Sequence, residues 1–323
     1  MENTKFILPD LGYKDHFTNP ENYLMSEELF HAVQVALILG QPLLLTGDPG
    51  TGKTRLAHKI AFTLAQQNPG EYHRDPFIFN TKSTTVYTDL FYHYDAVRHF
   101  HDASIAKASN QQSPQASSYV SLKGLGKAIA MSHPNTCKLV GSEQPMSSVL
   151  LIDEIDKAPR DFPNDLLNEI ENYQFDIAET NQSFAKGDHR IVIIMTSNTE
   201  KSLPDAFLRR CSFYHITFPD KPLLMQIVSA RMSNLISKSE NQVGQALDHF
   251  LAIREQVSKK PPATAELLAW LKILEVKDFF NNGLDFNQLS QSQKQTLQHS
   301  YSVLIKNKED FDEIINWLNP DNK

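Results

Sequence analysis

Short apolar runs recur along the first two thirds of the chain. They lie at 43–45, 77–79, 149–152, 191–195 and 213–216. The runs are continuous rather than alternating, which is typical of strands buried on both faces of a parallel sheet. Between them, apolar residues have helical spacing, as in the segments 29–37 and 54–65. This alternation of strand and helix through about residue 218 predicts an α/β layer architecture with right-handed crossovers.

Two polar segments interrupt the alternation. Residues 104–118 are small and polar and include a proline, which predicts an exposed loop. Residues 173–190 place Phe175, Ile177 and Phe184 around a polar centre, which predicts a hairpin. Beyond residue 218 only helical patterns remain, so we expect a separate helical subdomain there.

Composition removes several classes of protein from consideration. The chain has 323 residues, a net charge of −7 and 41% hydrophobic residues, which excludes collagen-like and disordered chains. Its longest apolar stretch, 32–39, contains Gln34 and is far shorter than the ~20 residues of a membrane-spanning helix. The acidic excess argues against a constitutive nucleic-acid binder, because phosphate neutralisation needs a concentrated basic face.

The location of the protein is predicted from its N-terminus and its cysteines. Residues 1–9 lack the basic segment and long apolar core of a secretory signal. Cys137 and Cys211 are too few to form a metal cluster, and we expect both to stay as thiols in the cytoplasm.

One motif points to a phosphate-binding loop. Residues 47–54 read Gly-Asp-Pro-Gly-Thr-Gly-Lys-Thr and fit G-x4-G-K-[ST], between a predicted strand and a predicted helix. Glycines let backbone amides surround phosphate oxygens, while the helix directs its positive end at them. We therefore expect ATP and Mg²⁺ as cofactors. The candidate nucleotide-binding residues are Gly47, Asp48, Pro49, Gly50, Thr51, Gly52, Lys53, Thr54, Arg55 and Asp153, with Thr54 and Asp153 as the Mg²⁺ ligands.

A second motif is the carboxylate pair Asp153 and Glu154, which ends the apolar run 149–152. Neighbouring side chains leave a strand in opposite directions, so Asp153 can support Mg²⁺ while Glu154 polarises an attacking water. A solvated strand end is the alternative. The phosphate loop about a hundred residues earlier favours the catalytic interpretation.

Two asparagines are weaker catalytic candidates. Asn198 follows the run 191–195 and could orient the water or contact the terminal phosphate. Asn80 ends the run 77–79 and could hydrogen-bond Glu154 until a ligand arrives. Turn-forming or strand-end asparagines are the alternatives for both.

The order of these motifs resembles AAA+ ATPases and, within them, the MoxR-type and dynein-related branch. The resemblance covers about 20–275, and the last fifty residues match no pattern of the family. It is carried by 47–54, 150–156, 196–198 and 203–210, and by the words Asp-Glu-Ile-Asp-Lys-Ala-Pro at 153–159, Phe-Pro-Asn-Asp-Leu-Leu at 162–167 and Phe-Pro-Asp at 218–220.

This resemblance implies a P-loop NTPase core with a five-stranded parallel sheet, a C-terminal helical lid and a ring of copies, usually six, with ATP between neighbours. The chain would then divide into an α/β nucleotide-binding core at 1–218 and a helical lid with a C-terminal extension at 219–323. Inserts near 83–126 and 173–190 would face the pore or a client. Relatives often work with a von Willebrand factor A-type partner protein.

The resemblance also implies roles for basic residues. Arg210 matches the finger that reaches a neighbour's γ-phosphate, and Arg209 is an adjacent candidate. A helix-end arginine pair that satisfies backbone carbonyls is the alternative. Relatives tend to place a lid arginine on the nucleotide, where this chain has Ala265, so either Lys259 or Lys260 substitutes or the contact is absent.

Three hypotheses of function follow. The first is a MoxR-type AAA+ ATPase that hydrolyses ATP at subunit interfaces to remodel or activate a partner protein. The second is a slow-turnover, nucleotide-gated adaptor that assembles with a partner. The third, a small-molecule kinase, is disfavoured by Glu154, Asn198 and Arg210. A metal site at His93, His99 and His101 is also considered, with aromatic packing as the favoured alternative.

Overall fold

The computed structural model describes residues 19–198, 203–280, 284–286 and 288–318. The chain forms two compact units. The first, here called the sheet unit, comprises Met25–Gly47 and Lys53–Ile216. The second, here called the helical unit, comprises 19–24, Asp48–Gly52 and the described residues of 217–318.

The sheet unit contains a five-stranded parallel sheet and two small two-stranded antiparallel sheets, as its strand pairing shows. Its strands are β1 (Leu43–Gly47), β2 (Phe77–Asn80), β3 (Tyr92–Tyr94), β4 (Val120–Leu122), β5 (Ser148–Asp153), β6 (Gln174–Ile177), β7 (Gln182–Ala185), β8 (Ile191–Thr196) and β9 (Ser212–Ile216). Its helices are α1 (Glu27–Leu39), α2 (Lys53–Gln67), α3 (Ala96–Ala108), α4 (Gly124–Ser132), α5 (Phe162–Asn172) and α6 (Asp205–Leu208).

The parallel sheet has the strand order β2-β5-β8-β1-β9, which confirms the predicted core. The central strands β1, β5 and β8 are buried along nearly their whole length, as their continuous apolar sequences predict. β5 pairs with β8 so that Leu150 lies opposite Ile193. The carboxyl ends of β1, β5 and β8 therefore meet at one edge of the sheet.

The helices that frame this edge begin and end at recognisable signals. α1 is capped by Ser26, whose Oγ accepts a hydrogen bond from the amide of Leu29 at 3.2 Å. It ends at Gly40, which has a left-handed φ of 64°. α2 follows the phosphate-loop motif directly and packs its apolar face into the core. The buried residues of that face are Leu56, Ala57, Ile60, Ala61 and Phe62.

The hairpin predicted within 173–190 is confirmed, because β6 and β7 pair in antiparallel fashion with Phe175 opposite Phe184. The loop predicted at 104–118 is partly wrong. α3 extends through Ala108, and a short 3₁₀ helix spans Ala116–Tyr119. The helix persists because Asp95 caps it and Ala106 is buried, both of which outweigh the serines and the proline that follow.

The helical unit contains α7 (Lys221–Arg231), α8 (Ser233–Gln256), α9 (Thr264–Val276), α10 (Gln291–Ser300) and α11 (Lys308–Leu318). α8 has a kink at Ser239, whose φ is −150°. The core of the unit is built around the fully buried aromatic residues Phe250, Trp270 and Tyr301. From 217 to 318, wherever the chain is described, the regular elements are helical, as the sequence predicts.

Two sequence predictions concern membranes and thiols. Every helix in the described ranges is too short or too polar to span a bilayer. Cys137 and Cys211 are free thiols, and burial raises the pKa of Cys211 to about 12.

Candidate functional site

The phosphate-loop motif leaves the end of β1 through Gly47. This glycine has a φ of 139°, and a Cβ there would lie 2.4 Å from the carbonyl oxygen of Ile216. No other residue fits such a position without moving the backbone. The close approach of β9 and the left-handed φ therefore explain why the motif begins with glycine at this strand end.

Lys53 begins α2 and is only 8% exposed. Its Nζ donates a hydrogen bond to the carbonyl oxygen of Gly47 at 2.7 Å. A buried ammonium group is costly unless oxygen atoms surround it, and the loop supplies one of them. This cation, held at a helix N-terminus beneath a glycine-rich turn, fits a phosphate ligand.

Thr54 and Asp153 meet although they are 99 residues apart in the chain. The Thr54 hydroxyl lies 3.1 Å from each carboxylate oxygen of Asp153. Hydroxyl and carboxylate oxygens are the ligands that Mg²⁺ prefers, and Mg²⁺ in nucleotide sites takes only one or two protein ligands. The donor set therefore fits Mg²⁺, and these two residues would hold it.

Thr196, at the end of β8, is hydrogen-bonded to both Asp153 and Glu154. Its Oγ1 donates to Asp153 Oδ1 at 2.5 Å and accepts the backbone N–H of Glu154 at 2.9 Å. The sequence analysis passed over Thr196 in favour of Asn198. The available signal was its place as the last residue of a buried strand, but its use required knowing that β8 lies beside β5.

Glu154 has an unusual backbone for a residue with a side chain. Its φ is 57° and its ψ is 50°, in the left-handed region, which costs about 1–2 kcal/mol for a non-glycine residue. Its carboxylate forms an ion pair with Lys157, three residues further on. Hydrogen bonding to Glu154 raises the pKa of Lys157. The sequence analysis did not identify Lys157 as a partner.

The two candidate asparagines lie near this edge but make different contacts from those predicted. Asn80 ends β2 opposite Asp153 in the sheet register and is exposed. Among the described residues it makes no hydrogen bond to Glu154. Asn198 is exposed, and its backbone N–H lies 3.3 Å from Asp156 Oδ1. Their catalytic roles stay predictions.

Arg209 and Arg210, which follow α6, lie at the surface. Arg210 Nη1 lies 3.3 Å from Glu171 Oε1, and both side chains are more than half exposed. Arg209 is also exposed. Arg55, in the first turn of α2, is half-buried. Arg210 thus contacts Glu171 on α5 of its own chain. Its action on a neighbouring copy stays a prediction.

The helical unit offers a different cation from those that the sequence suggested. Lys259 Nζ lies 2.5 Å from Glu309 Oε2, and Lys260 is exposed. Arg254 instead contacts the phosphate-loop motif, with Nη2 3.0 Å from Asp48 Oδ2. Sequence reasoning missed Arg254 because it belongs to no motif and lies in an ordinary helical pattern.

The histidine segment packs as an aromatic group. His99 Nδ1 lies 2.5 Å from the Tyr94 hydroxyl, and its ring stacks on Tyr119 with centroids 4.6 Å apart. No cluster of three or more histidine, cysteine, aspartate or glutamate side chains suited to a metal occurs in the described part of the chain. The contacts of His99 are thus those of aromatic packing.

A glycine-rich loop between a strand and a helix, with an aspartate at a nearby strand end, defines the chain as a P-loop nucleotide-binding protein of the AAA+ type. A family model described as AAA domain (dynein-related subfamily) matches residues 42–211, slightly more than half of the chain. The chain belongs to this family, and its members are ATPases.

Two solved structures illustrate the similarity in fold. A RuvB mutant from Thermotoga maritima is 18% identical, with 88% of this chain and 70% of that chain covered and a TM-score of 0.42. Domain III of the Thermotoga maritima replication initiation protein DnaA is 14% identical, with 94% and 98% covered and a TM-score of 0.45. The search of curated proteins found no match.

Proposed function

We propose that this protein is a MoxR-type, Mg²⁺-dependent ATPase that hydrolyses ATP at interfaces between copies in a ring, most simply a hexamer, to remodel or activate a partner protein. The observation that carries the proposal is the contact of Thr54 with both carboxylate oxygens of Asp153. It joins the phosphate-loop motif to the carboxylate pair. Without that contact the two motifs would be separate features of the sequence.

Each residue has a defined task in this proposal. Lys53 and the loop amides bind the phosphates, and Thr54 and Asp153 hold the metal ion. Bound Mg²⁺ would neutralise charge that develops on the phosphate oxygens. Thr196 orients Asp153 and fixes the backbone of Glu154. Glu154 takes the proton of the attacking water, and Asn198 helps to place that water.

The proposed general base is not free in the structure. The Glu154 carboxylate pairs with Lys157 and is therefore not directed at a ligand. Both side chains are about half exposed, so solvent screens the pair and weakens it. Nucleotide binding can therefore redirect Glu154 at a small cost, and hydrolysis would follow that rearrangement.

The ion pair between Arg210 and Glu171 can be compared in the same way with the contribution of an arginine finger to the rate. An exposed ion pair such as Arg210 with Glu171 is worth about 0–1 kcal/mol. An arginine finger supplied by a neighbour increases the rate by about 10³–10⁵, which corresponds to about 4–7 kcal/mol of barrier. When Arg210 leaves Glu171 for a neighbour's triphosphate, the barrier to hydrolysis therefore falls by more than the lost ion pair costs. Turnover would then depend on assembly.

The insert at 83–126 supports a protein client. Its helix α3 exposes three apolar side chains, Val97 (82%), Phe100 (77%) and Ile105 (51%). Such apolar surface is commonly used for protein contacts. A von Willebrand factor A-type protein is one client that the resemblance suggests. A cytoplasmic location stays a prediction of the sequence.

The second candidate function is a slow-turnover switch that assembles with a partner. Its specific support is the resting arrangement of the site, in which Glu154 is paired with Lys157 and Arg210 with Glu171. The two candidates differ in turnover. Phosphate release that rises steeply with protein concentration favours the ATPase, whereas release that stays slow at every concentration favours the switch.

The test is Glu154→Gln in the full chain. We expect ATP binding to be retained and kcat to fall by about 10²–10⁴, because the amide cannot accept the proton of water. Lys53→Ala should lose ATP binding. Glu143→Gln, at a 91% exposed side chain paired with Lys138, is the matched control and should leave kcat unchanged. Undiminished hydrolysis by Glu154→Gln would refute the assignment of the base.

A further inference from the structure

The second residue of the phosphate-loop motif is a carboxylate, Asp48. A negative charge in this loop opposes the binding of a polyphosphate, because like charges in partly desolvated surroundings repel. The Asp48 side chain is 59% exposed, and its Oδ2 lies 3.0 Å from Nη2 of Arg254, 206 residues further along the chain. The unfavourable charge in the loop thus has a cationic partner.

Arg254 is fixed by contacts other than Asp48. Its side chain is only 15% exposed. Nη1 donates a hydrogen bond to the carbonyl oxygen of Pro262 at 2.6 Å, and the guanidinium carbon lies 3.8 Å from the centre of the Phe218 ring. A guanidinium stacked on an aromatic face and bonded to a carbonyl is held in one orientation. Its remaining donors are therefore directed at Asp48 before any ligand binds.

The same loop also packs against the start of α9. A Cβ built on Gly50, whose φ is 80°, would lie 2.9 Å from the Cβ of Ala263. Ala263 immediately follows Pro262, the residue that Arg254 holds. Asp48, Gly50, Arg254 and Ala263 all belong to the helical unit. The end of α8 and the start of α9 thus contact the loop at two successive places.

We propose that Arg254 is a positioning residue for nucleoside triphosphate binding, which neutralises Asp48 and fixes the phosphate loop against α8 and α9. It rests on the proposed function. Arg254 acts through Asp48 rather than by touching the phosphates. Arg254 would thus support nucleotide binding from the helical unit, as a lid residue at Ala265, Lys259 or Lys260 would have done. It does so through Asp48 and not by direct contact with the nucleotide.

The test measures the dissociation constant of ATP for the full chain by calorimetry, in the hydrolysis-blocked Glu154→Gln background. Arg254→Gln should weaken ATP binding by about tenfold or more, because it leaves the Asp48 charge uncompensated. Asp48→Asn alone should not weaken ATP binding, because it removes the opposing negative charge from the loop while Arg254 stays in place. The double variant should regain affinity to within about threefold of the parent.

Two further variants separate this effect from a loss of structure. Arg254→Lys keeps the charge but loses the second bond, so its affinity should lie between that of the parent and that of Arg254→Gln. Lys277→Gln removes the same charge from an exposed position and should have no effect. Rescue in the double variant supports the proposal, since a protein unfolded by Arg254→Gln would not be repaired by Asp48→Asn.

The outcomes that overturn the proposal are distinct from failure of the proposed function. If the parent protein binds no ATP, the proposed function fails. If the parent binds ATP but Arg254→Gln binds equally well, the proposal for Arg254 fails alone. It also fails if Arg254→Gln loses affinity and Asp48→Asn does not restore it, because the arginine would then act by direct contact with phosphate or by folding.

Discussion

The sheet unit and the helical unit use similar hydrogen bonds in opposite settings. In the sheet unit, Asp153 and Thr196 end β5 and β8 and are hydrogen-bonded to each other, and Asp153 also accepts from Thr54 in the first turn of α2. In the helical unit, His249 Nε2 lies 2.6 Å from the Tyr301 hydroxyl, and Trp270 Nε1 donates to Ser300 Oγ at 2.8 Å. These polar groups lie among buried aromatic rings. The first network thus lies at a sheet edge where Thr54 and Asp153 are partly exposed, whereas the second lies inside a core.

The two settings also treat charge differently. Burial lowers the pKa of His249 to about 4 and raises the pKa of the Tyr301 hydroxyl, so both stay neutral near pH 7. In the sheet unit the pairing of Lys157 with Glu154 instead favours the charged lysine. The comparison teaches that strand ends tolerate charges which the helical core excludes.

The largest expected effect is a loss of stability, caused by a substitution in the core of the helical unit. Trp270 is fully buried, and Trp270→Ala should lower the free energy of unfolding by about 3–5 kcal/mol, from lost packing and the lost hydrogen bond to Ser300 Oγ. Trp317→Ala is the matched control, because Trp317 is 41% exposed and should cost less than about 1 kcal/mol. Urea denaturation followed by tryptophan fluorescence measures both, since the chain has only these two tryptophans. Equal losses would contradict the difference in burial.

A smaller effect comes from pH. The folded pKa of His249, about 4, lies below its unfolded value of about 6.5, so between these values the unfolded chain binds more protons. Stability should therefore fall as pH decreases from 6.5 to 4, and His249 accounts for up to about 3 kcal/mol of that loss. Fluorescence-detected unfolding at pH 7 and at pH 4.5 measures it.

The control for this pH effect is a pair of histidine variants. His249→Phe should flatten the dependence on pH, whereas His31→Gln, at a 63% exposed side chain, should leave it as in the parent. An unchanged dependence in His249→Phe would show that other groups cause the loss.

The smallest of the three effects concerns the strand-end network. Thr196→Val keeps the shape of the side chain but removes its hydrogen bonds to the Glu154 N–H and to Asp153 Oδ1. A cost of about 1–3 kcal/mol corresponds to about a 5- to 150-fold loss in kcat/KM. Steady-state hydrolysis measures it. Thr196→Ser keeps the hydroxyl and should retain most activity, and an equal loss in both variants would point to packing.

The sequence predicted the parts of this protein that depend on neighbouring residues. The parallel strands and the phosphate-loop motif each depend on a short contiguous segment of the sequence. The structure confirms the fold that these segments imply. The loop predicted at 104–118 is partly wrong because the cap at Asp95 and the burial of Ala106 extend α3.

Two of the three residues that were missed depend on distant contacts. Thr196 contacts Asp153 and Arg254 contacts Asp48, each far away in the chain. Lys157 is only three residues from Glu154, a spacing at which side chains of a helical turn meet. Residue type and spacing do not by themselves reveal the two distant contacts.

By itself the sequence determined the class of fold and the presence of a phosphate loop with a carboxylate pair, because those features need only local backbone and local polarity. The tertiary structure alone decided which side chains meet them. The strand order β2-β5-β8-β1-β9 puts β8 beside β5, so Thr196 reaches Asp153, and the fold of the helical unit brings Arg254 to Asp48. Chain order does not reveal strand order, and a salt bridge between residues 206 positions apart exists only once the chain has folded.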